Sequence, residues 1–220
     1  MIRVWGRQVS PNVQRAMFCI GELGLEFERI DVGGPFGGLA SAEFLKMNPN
    51  GRIPTIQDGN TVVWESDAII RYLAARYGAG TLWPVDPGER AAGDQWMEWA
   101  RSYCDDGNKV FFQLYRVEAE KRDLKLMKEC TESVTKAYIV LDRHLADKNF
   151  VAGEKLSIGD IAIGPHIHRY MIMDVQRPEL PHLRAWYQRL LERPAYQAHI
   201  GFPLEEQKRL LVLGPDSVKK

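Results

Sequence analysis

With 220 residues and 45% hydrophobic content, the chain can fill two modest domains with an ordinary core. Its 29 lysines and arginines balance its 29 aspartates and glutamates, so no net field favours a nucleic acid or an anionic membrane as partner. The opening MIRVWGRQVSPN lacks a signal-peptide core and no apolar run reaches the roughly 18 residues of a bilayer span, so a cytoplasmic address is expected.

In chain order, Ile2 to Trp5 reads as a strand, and Pro11 to Leu23 as a helix closed by Gly24. Phe27 to Val32 alternates as a second strand, Gly33 to Gly38 is a glycine-rich stretch, and Ala42 to Met47 is a short helix. Ile53 to Gln57 and Thr61 to Trp64 form a hairpin around Asp58-Gly59-Asn60, because Asp-Gly tolerates the positive φ of a tight turn. Asp67 to Tyr77, opened by Ser66, is the last helix of this part. A helical crossover makes the first two strands parallel, and the hairpin makes the last two antiparallel. The expected fold is therefore α/β with a thioredoxin-like layout, followed by an all-α part.

Gly78 to Gly88 has the glycine and proline content of a linker, which places the boundary near residue 82. The domains read as 1–82 and 88–210. The second holds a helix from Glu89 to about Glu118 bent around Asp105-Asp106-Gly107, another from Asp123 to Ala146, one opening at Ser157, and one from Leu183 to Glu192. The last dozen residues carry little pattern and read as a loosely held tail, and Lys219-Lys220 is too short to act as a basic address.

Three segments carry chemistry. Ser10 stands where the first strand meets the first helix, with Pro11 at the first helical position; the reading of these residues alone is an N-cap. A hydroxyl that accepts from the backbone still has a hydrogen to donate, so Ser10 can also serve a ligand, and Asn12 offers a rival donor from the same turn. In Asn48-Pro49-Asn50-Gly51-Arg52-Ile53-Pro54 a turn runs into a strand that begins at proline; composition alone predicts a trans Ile53–Pro54 bond. A cis bond would instead turn the Ile53 backbone outward to pair with an extended peptide ligand. Glu65-Ser66-Asp67 reads either as an ordinary serine N-cap or as a carboxylate receptor at a helix start, with Glu65 able to accept from an ammonium.

These segments, SPNVQR, ELGLEFE, FGG, FLKMNPNGRIPTIQDG, VVWESDAIIRYLAARYG and LWP, resemble in order and spacing the cytosolic glutathione transferases, over essentially residues 2 to 84. The FGG-containing form looks most like bacterial members akin to the beta and theta types. The resemblance implies glutathione as co-substrate and no metal. It implies a glutathione site of Ser10, Asn12, Phe36, Gly38, Arg52, Ile53, Pro54, Glu65 and Ser66. In it Ser10 or Asn12 activates the thiol, Ile53 binds the cysteinyl backbone, Pro54 is cis, and Glu65 and Ser66 hold the γ-glutamyl group. It implies a pocket for a small electrophile at Arg7, Gln8, Lys109, Phe112 and Tyr115, although each cation also reads as an ordinary solvated charge. A homodimer is the further implication.

In the second part, LSIGDI resembles the family's capping box and hydrophobic staple, and the spacing agrees: Ser157 and Asp160 are three residues apart. His166 and His168 stand two apart, a poor metal pair on a helix. Cys19, Cys104 and Cys130 are odd in number and show no CxxC spacing, so they read as buried thiols. The tryptophans Trp83, Trp96, Trp99 and Trp186 read as core and junction fillers. Two other readings remain beside conjugation: glutathione-dependent reduction of a disulfide or peroxide, and a non-catalytic binding protein built on the same fold.

Overall fold

In β1 (Ile2–Trp5) burial alternates with the sequence: Ile2 and Val4 are buried and Arg3 is exposed. The structure, a computed structural model, describes residues 1–212. β1 lies at the centre of a four-stranded sheet, parallel to β2 (Phe27–Ile30) and antiparallel to β3 (Thr55–Asp58), with β4 (Thr61–Trp64) on the outer edge beside β3. The strand directions are those expected. β3 begins at Thr55 rather than Ile53, because Pro54 has no N–H to offer a ladder. Asp58 faces Thr61 across the hairpin turn, and Gly59 takes a φ of 58° at its first central position.

α1 (Pro11–Glu22) makes the crossover between β1 and β2 and ends as its glycine demands. Gly24 has φ 62°, and Leu25 N donates to Ile20 O at 3.1 Å, closing the last turn. α2 (Ala42–Met47) is capped by Ser41, whose hydroxyl accepts from Phe44 N at 3.2 Å. α3 (Ser66–Tyr77) packs on α1, and its Ile69, Ile70 and Leu73 are fully buried. The Tyr72 and Tyr77 hydroxyls donate to Asp58 at 2.8 and 2.6 Å and tie the hairpin to α3.

The chain divides into two compact units, residues 1–79 with the described residues from Pro194, and Gly80–Arg193. The second holds α4 (Pro87–Tyr103), α5 (Asp105–Arg116), α6 (Leu124–His144), α7 (Ile158–Ile172) and α8 (Pro181–Leu191). The single bent helix expected over 89–118 is two helices, divided at Cys104. Asp105 and Asp106 occupy the first turn of α5, where the helix dipole favours negative charge. α4 and α7 approach so closely that a Cβ on Gly159 would lie 2.8 Å from the Gly93 carbonyl oxygen.

Ser157 and Asp160 form the expected capping box at the start of α7, and Asp160 does more than cap. It is fully buried, accepting from Ser157 N at 2.8 Å, Ser157 Oγ at 2.7 Å, Val151 N at 2.9 Å and Trp186 Nε1 at 2.8 Å. His166 and His168 point to different partners: their Nδ1 atoms lie 3.2 Å from Asn108 Nδ2 and 2.9 Å from Tyr187 Oη.

α9 (Pro194–His199) and α10 (Leu204–Val212) return to the first unit, whereas the sequence reading ran the helical domain on to residue 210. The reason is a seat on α1: a Cβ on Gly21 would lie 2.8 Å from Ala195 Cβ, and the Tyr196 ring meets Phe18 edge-on at 5.2 Å. α10 also carries helix into the segment read as tail. The rest of that segment, residues 213–220 with Lys219-Lys220, lies outside the described residues.

The pH dependence of this seat has a definite sign. His199 is half-buried against the Phe27 ring at 5.6 Å, and burial, then the charge of Arg29, hold its pKa below 6.5. The unfolded chain therefore takes up this proton first, and its contribution to stability falls as pH drops below about 6.5. Thermal melts between pH 7.5 and 5.5 are expected to fall less for His199→Gln than for the unaltered chain. Equal declines would assign the acid sensitivity elsewhere.

Candidate functional site

The first unit is built around the handover from β1 to α1. Gly6, at φ 154°, leaves no room for a side chain, since a Cβ there would lie 2.4 Å from Val13 Cγ2. The loop then folds back, with Ser10 N donating to Arg7 O at 3.2 Å and Gln14 N donating to Ser10 O at 2.8 Å. Ser10 thus occupies the N-cap position in extended conformation with Pro11 at N1, but its side chain makes no capping hydrogen bond. The sequence expectation of a capping hydroxyl is corrected in that respect. The hydroxyl stands at the positive end of α1, only 8% exposed, and is not spent on its own helix. Asn12 is exposed on the same turn.

The Asn48–Thr55 turn is held from its centre. Asn48, buried, donates through Nδ2 to Arg52 O at 2.8 Å and Thr55 Oγ1 at 3.1 Å, and its Oδ1 accepts from Asn50 N at 3.1 Å. Gly51 takes φ 59° between them. The Ile53–Pro54 bond is cis, contrary to composition and as the family resemblance implies. Ile53 lies outside the paired register of the sheet. Its Cδ1 is 3.3 Å from where a Cβ on Gly33 would stand, and its Cβ 3.5 Å from one on Gly6, so it bridges the β1–α1 loop and the glycine-rich loop. Pro54 is buried and Arg52 exposed.

That loop makes a single 3-10 turn over Gly34–Phe36, closed by Gly33 N donating to Gly37 O at 2.7 Å. Phe36 is half-buried on it, and Gly38, at φ 82°, is exposed. Arg7 is no solvated cation: a Cβ on Gly34 would lie 3.0 Å from its Nη1, so the guanidinium packs on the loop. Gln8 instead lines a cavity of about 330 Å³ with Met17, Phe27, Arg29, Ala198 and His199.

The Glu65-Ser66-Asp67 junction differs from the serine N-cap reading. Glu65 is the N-cap, and Ser66 is the first helical residue. Glu65 has φ 68° and ψ 121°, and among the described residues no other non-glycine has positive φ. Such a conformation costs on the order of 1–3 kcal/mol and persists where surrounding structure demands it. Glu65→Gly is expected to stabilise the chain by about 1 kcal/mol, the strain relieved less the added chain entropy, while weakening binding of a ligand ammonium. Paired urea and calorimetric titrations would show it, and a loss of stability would refute the strain argument.

The sequence reading missed Arg15. Buried at 4% exposure, its Nη1 donates to Ser66 Oγ at 3.4 Å and to Asp67 Oδ1 at 3.1 Å. The available signal was a cation inside the apolar run VQRAMFCI of α1, where a charge is tolerated only when paired. Cys19, farther along α1, is fully buried and its thiol pKa is pushed up by burial, then by Glu22.

In the helical unit, Lys109 and Phe112 line a mostly apolar cavity of about 320 Å³ with Asn108, Gln113 and Leu126. Phe112 is 48% exposed, and Lys109 is paired with Asp106 at 2.8 Å. Tyr115 is not among the lining residues: its hydroxyl accepts from Asp174 N at 3.2 Å. Among the described residues no group of three His, Cys, Asp or Glu side chains could hold a metal ion, and no helix is long and apolar enough to cross a membrane.

The description "Glutathione S-transferase, N-terminal domain" matches residues 9–76, and "Glutathione S-transferase, C-terminal domain" matches residues 122–189. The chain is 36% identical to Glutathione S-transferase GstB of Escherichia coli (strain K12), over 93% of this chain and 100% of the relative. It is 29% identical to Glutathione S-transferase 3 of Zea mays, over 91% and 93%. Its fold matches the crystal structure of the theta class glutathione S-transferase from the citrus canker pathogen Xanthomonas axonopodis pv. citri with glutathione bound. The TM-score is 0.88 at 41% identity, covering 92% of this chain and 98% of that one. The chain belongs to the glutathione S-transferase family.

Proposed function

We propose that this chain is a cytoplasmic, theta-like glutathione transferase whose first unit activates the glutathione thiol and whose helical unit supplies the electrophile's pocket. The observation that carries the reading is the Ser10 hydroxyl, nearly buried at the α1 N-terminus and making no cap bond to its own helix. A thiol of pKa near 8.5 is only about 3% ionised at pH 7. One hydrogen bond to the charged form contributes about 1.5–3 kcal/mol, or one to two pKa units, and the helix dipole adds to it. Ser10 as donor makes thiolate the dominant form, with Asn12 as the second donor of that turn.

The other site residues divide the peptide between them. Ile53, outside the ladder and next to Pro54, offers backbone N–H and C=O to the cysteinyl residue. Glu65 and Ser66 take the ammonium and carboxylate of the γ-glutamyl group, and Arg52, Phe36 and Gly38 border the rest. The thiolate then attacks an electrophilic carbon, forming the C–S bond as halide or another leaving group departs, or adding across an activated double bond. Lys109 and Phe112, which share one cavity of the helical unit, border the electrophile. Reduction of a disulfide or peroxide is disfavoured, because the active turn has no cysteine and Cys19 is fully buried. A homodimer is supported by the groove between α4 and α6, where Trp99 and the exposed Tyr103 and Val140 meet beside Glu129, Glu132 and Lys136.

Calorimetric titration with glutathione and with S-methylglutathione, followed by an ultraviolet scan for bound thiolate, tests the reading. Binding with thiolate absorbance at neutral pH supports it, and absence of binding returns the fold to a non-catalytic role.

A further inference from the structure

We infer that Arg15 is a positioning residue of the glutathione site: it fixes the Ser66 hydroxyl as a donor toward the carboxylate of the γ-glutamyl group. This rests on the assignment of Ser66 to that group. A serine hydroxyl has one hydrogen and two lone pairs and can meet a ligand as donor or acceptor. An arginine can only donate. With Arg15 Nη1 3.4 Å from Ser66 Oγ, a lone pair of that oxygen is occupied, and the Asp67 carboxylate beside it is engaged by the same guanidinium, which frees the hydroxyl hydrogen for a ligand. That hydrogen is left to point away from α1, toward an anion at the α3 N-terminus.

The same nitrogen has a second hydrogen, and Asp67 Oδ1 at 3.1 Å takes it. Asp67 holds the guanidinium in place and balances its charge, which burial at 4% exposure would otherwise forbid. The pair is aimed as well as paired: Ser66 and Asp67 are consecutive residues of the first turn of α3, so a single side chain of α1 sets that turn against the helix that begins beside Ser10. A carboxylate bound at Ser66 meets a hydroxyl already oriented, the backbone N–H groups of a helix start, and a cation one atom behind.

The test compares glutathione with its analogue lacking the α-carboxylate, γ-aminobutyryl-cysteinyl-glycine, in the full-length protein and in Arg15→Lys, Ser66→Ala and the double variant. Lysine keeps the charge but cannot reproduce the planar geometry. Arg15→Lys is expected to raise the KM for glutathione about ten- to a hundredfold, leave kcat at saturation nearly unchanged, and leave the analogue's affinity as it was. Ser66→Ala should do the same, and the double variant should lose no more than the larger single loss. Unchanged glutathione affinity in Arg15→Lys, an equal loss for the analogue, or additive losses in the double variant would overturn the inference. If Arg15→Lys does not fold, Arg15→Gln, which keeps two donors, replaces it; failure of both to fold assigns Arg15 to structure alone and also overturns it. If the unaltered protein binds neither ligand, the transferase reading itself falls.

Discussion

Ser10→Ala is expected to raise the pKa of the bound glutathione thiol by about one to two units and lower kcat/KM near neutral pH about ten- to a hundredfold. Glutathione affinity should stay nearly intact, because the γ-glutamyl and cysteinyl contacts proposed above lie elsewhere in the first unit. The magnitude follows from a single charge-assisted hydrogen bond in a nearly buried setting. The alternative donor is Asn12, two residues on and exposed. A pH–rate profile that shifts upward in Ser10→Ala and not in Asn12→Ala identifies Ser10; an unshifted profile in Ser10→Ala moves the role to Asn12.

The largest expected loss of stability lies in the helical unit, at Asp160. Alanine there would strand donors that now converge on one carboxylate from Ser157 N and Oγ, Val151 N and Trp186 Nε1. Each buried donor left without a partner costs about 1–3 kcal/mol, and partial relaxation brings the expected total to about 3–5 kcal/mol. Burial pushes the Asp160 carboxyl pKa up while these donors pull it down, so both protonation states depend on the same cradle. Asp160→Asn keeps one oxygen acceptor and is expected to lose about half as much. Urea titration of the two variants measures the difference, and a loss under about 1 kcal/mol for alanine would show that water replaces the carboxylate.

Much of this molecule was legible in the sequence because local chemistry and tertiary structure agree there. The strands, the Asp58-Gly59-Asn60 turn, the Ser157–Asp160 box and the α1 stop at Gly24 are set by residues close in sequence. The errors fall where distant residues decide. The capping role of Ser10 was over-read, because an N-cap position does not oblige the hydroxyl to fold back on its helix. Ser66 was read as the cap because serine favours that position; Glu65 takes it instead in a conformation that propensity argues against. The cis state of Pro54 was invisible to composition and visible only through resemblance. Arg15 could not be assigned without knowing that α1 lies against the start of α3, some fifty residues later, and α9 was placed in the wrong unit because nothing local says which surface its apolar face will find.

That last placement bears on the order in which the protein is made. The unit carrying Ser10, Ile53 and Ser66 is discontinuous: α1 leaves the ribosome before the helical unit, while Ala195 and Tyr196, which cover Gly21 and Phe18 on α1, leave after it. During synthesis the helical unit has its whole sequence available while α1 still lacks its cover. The unit that holds Ser10 is thus begun before the helical unit and completed after it, and a nascent chain stalled before residue 194 would present the Phe18 face of α1 to solvent or to a chaperone.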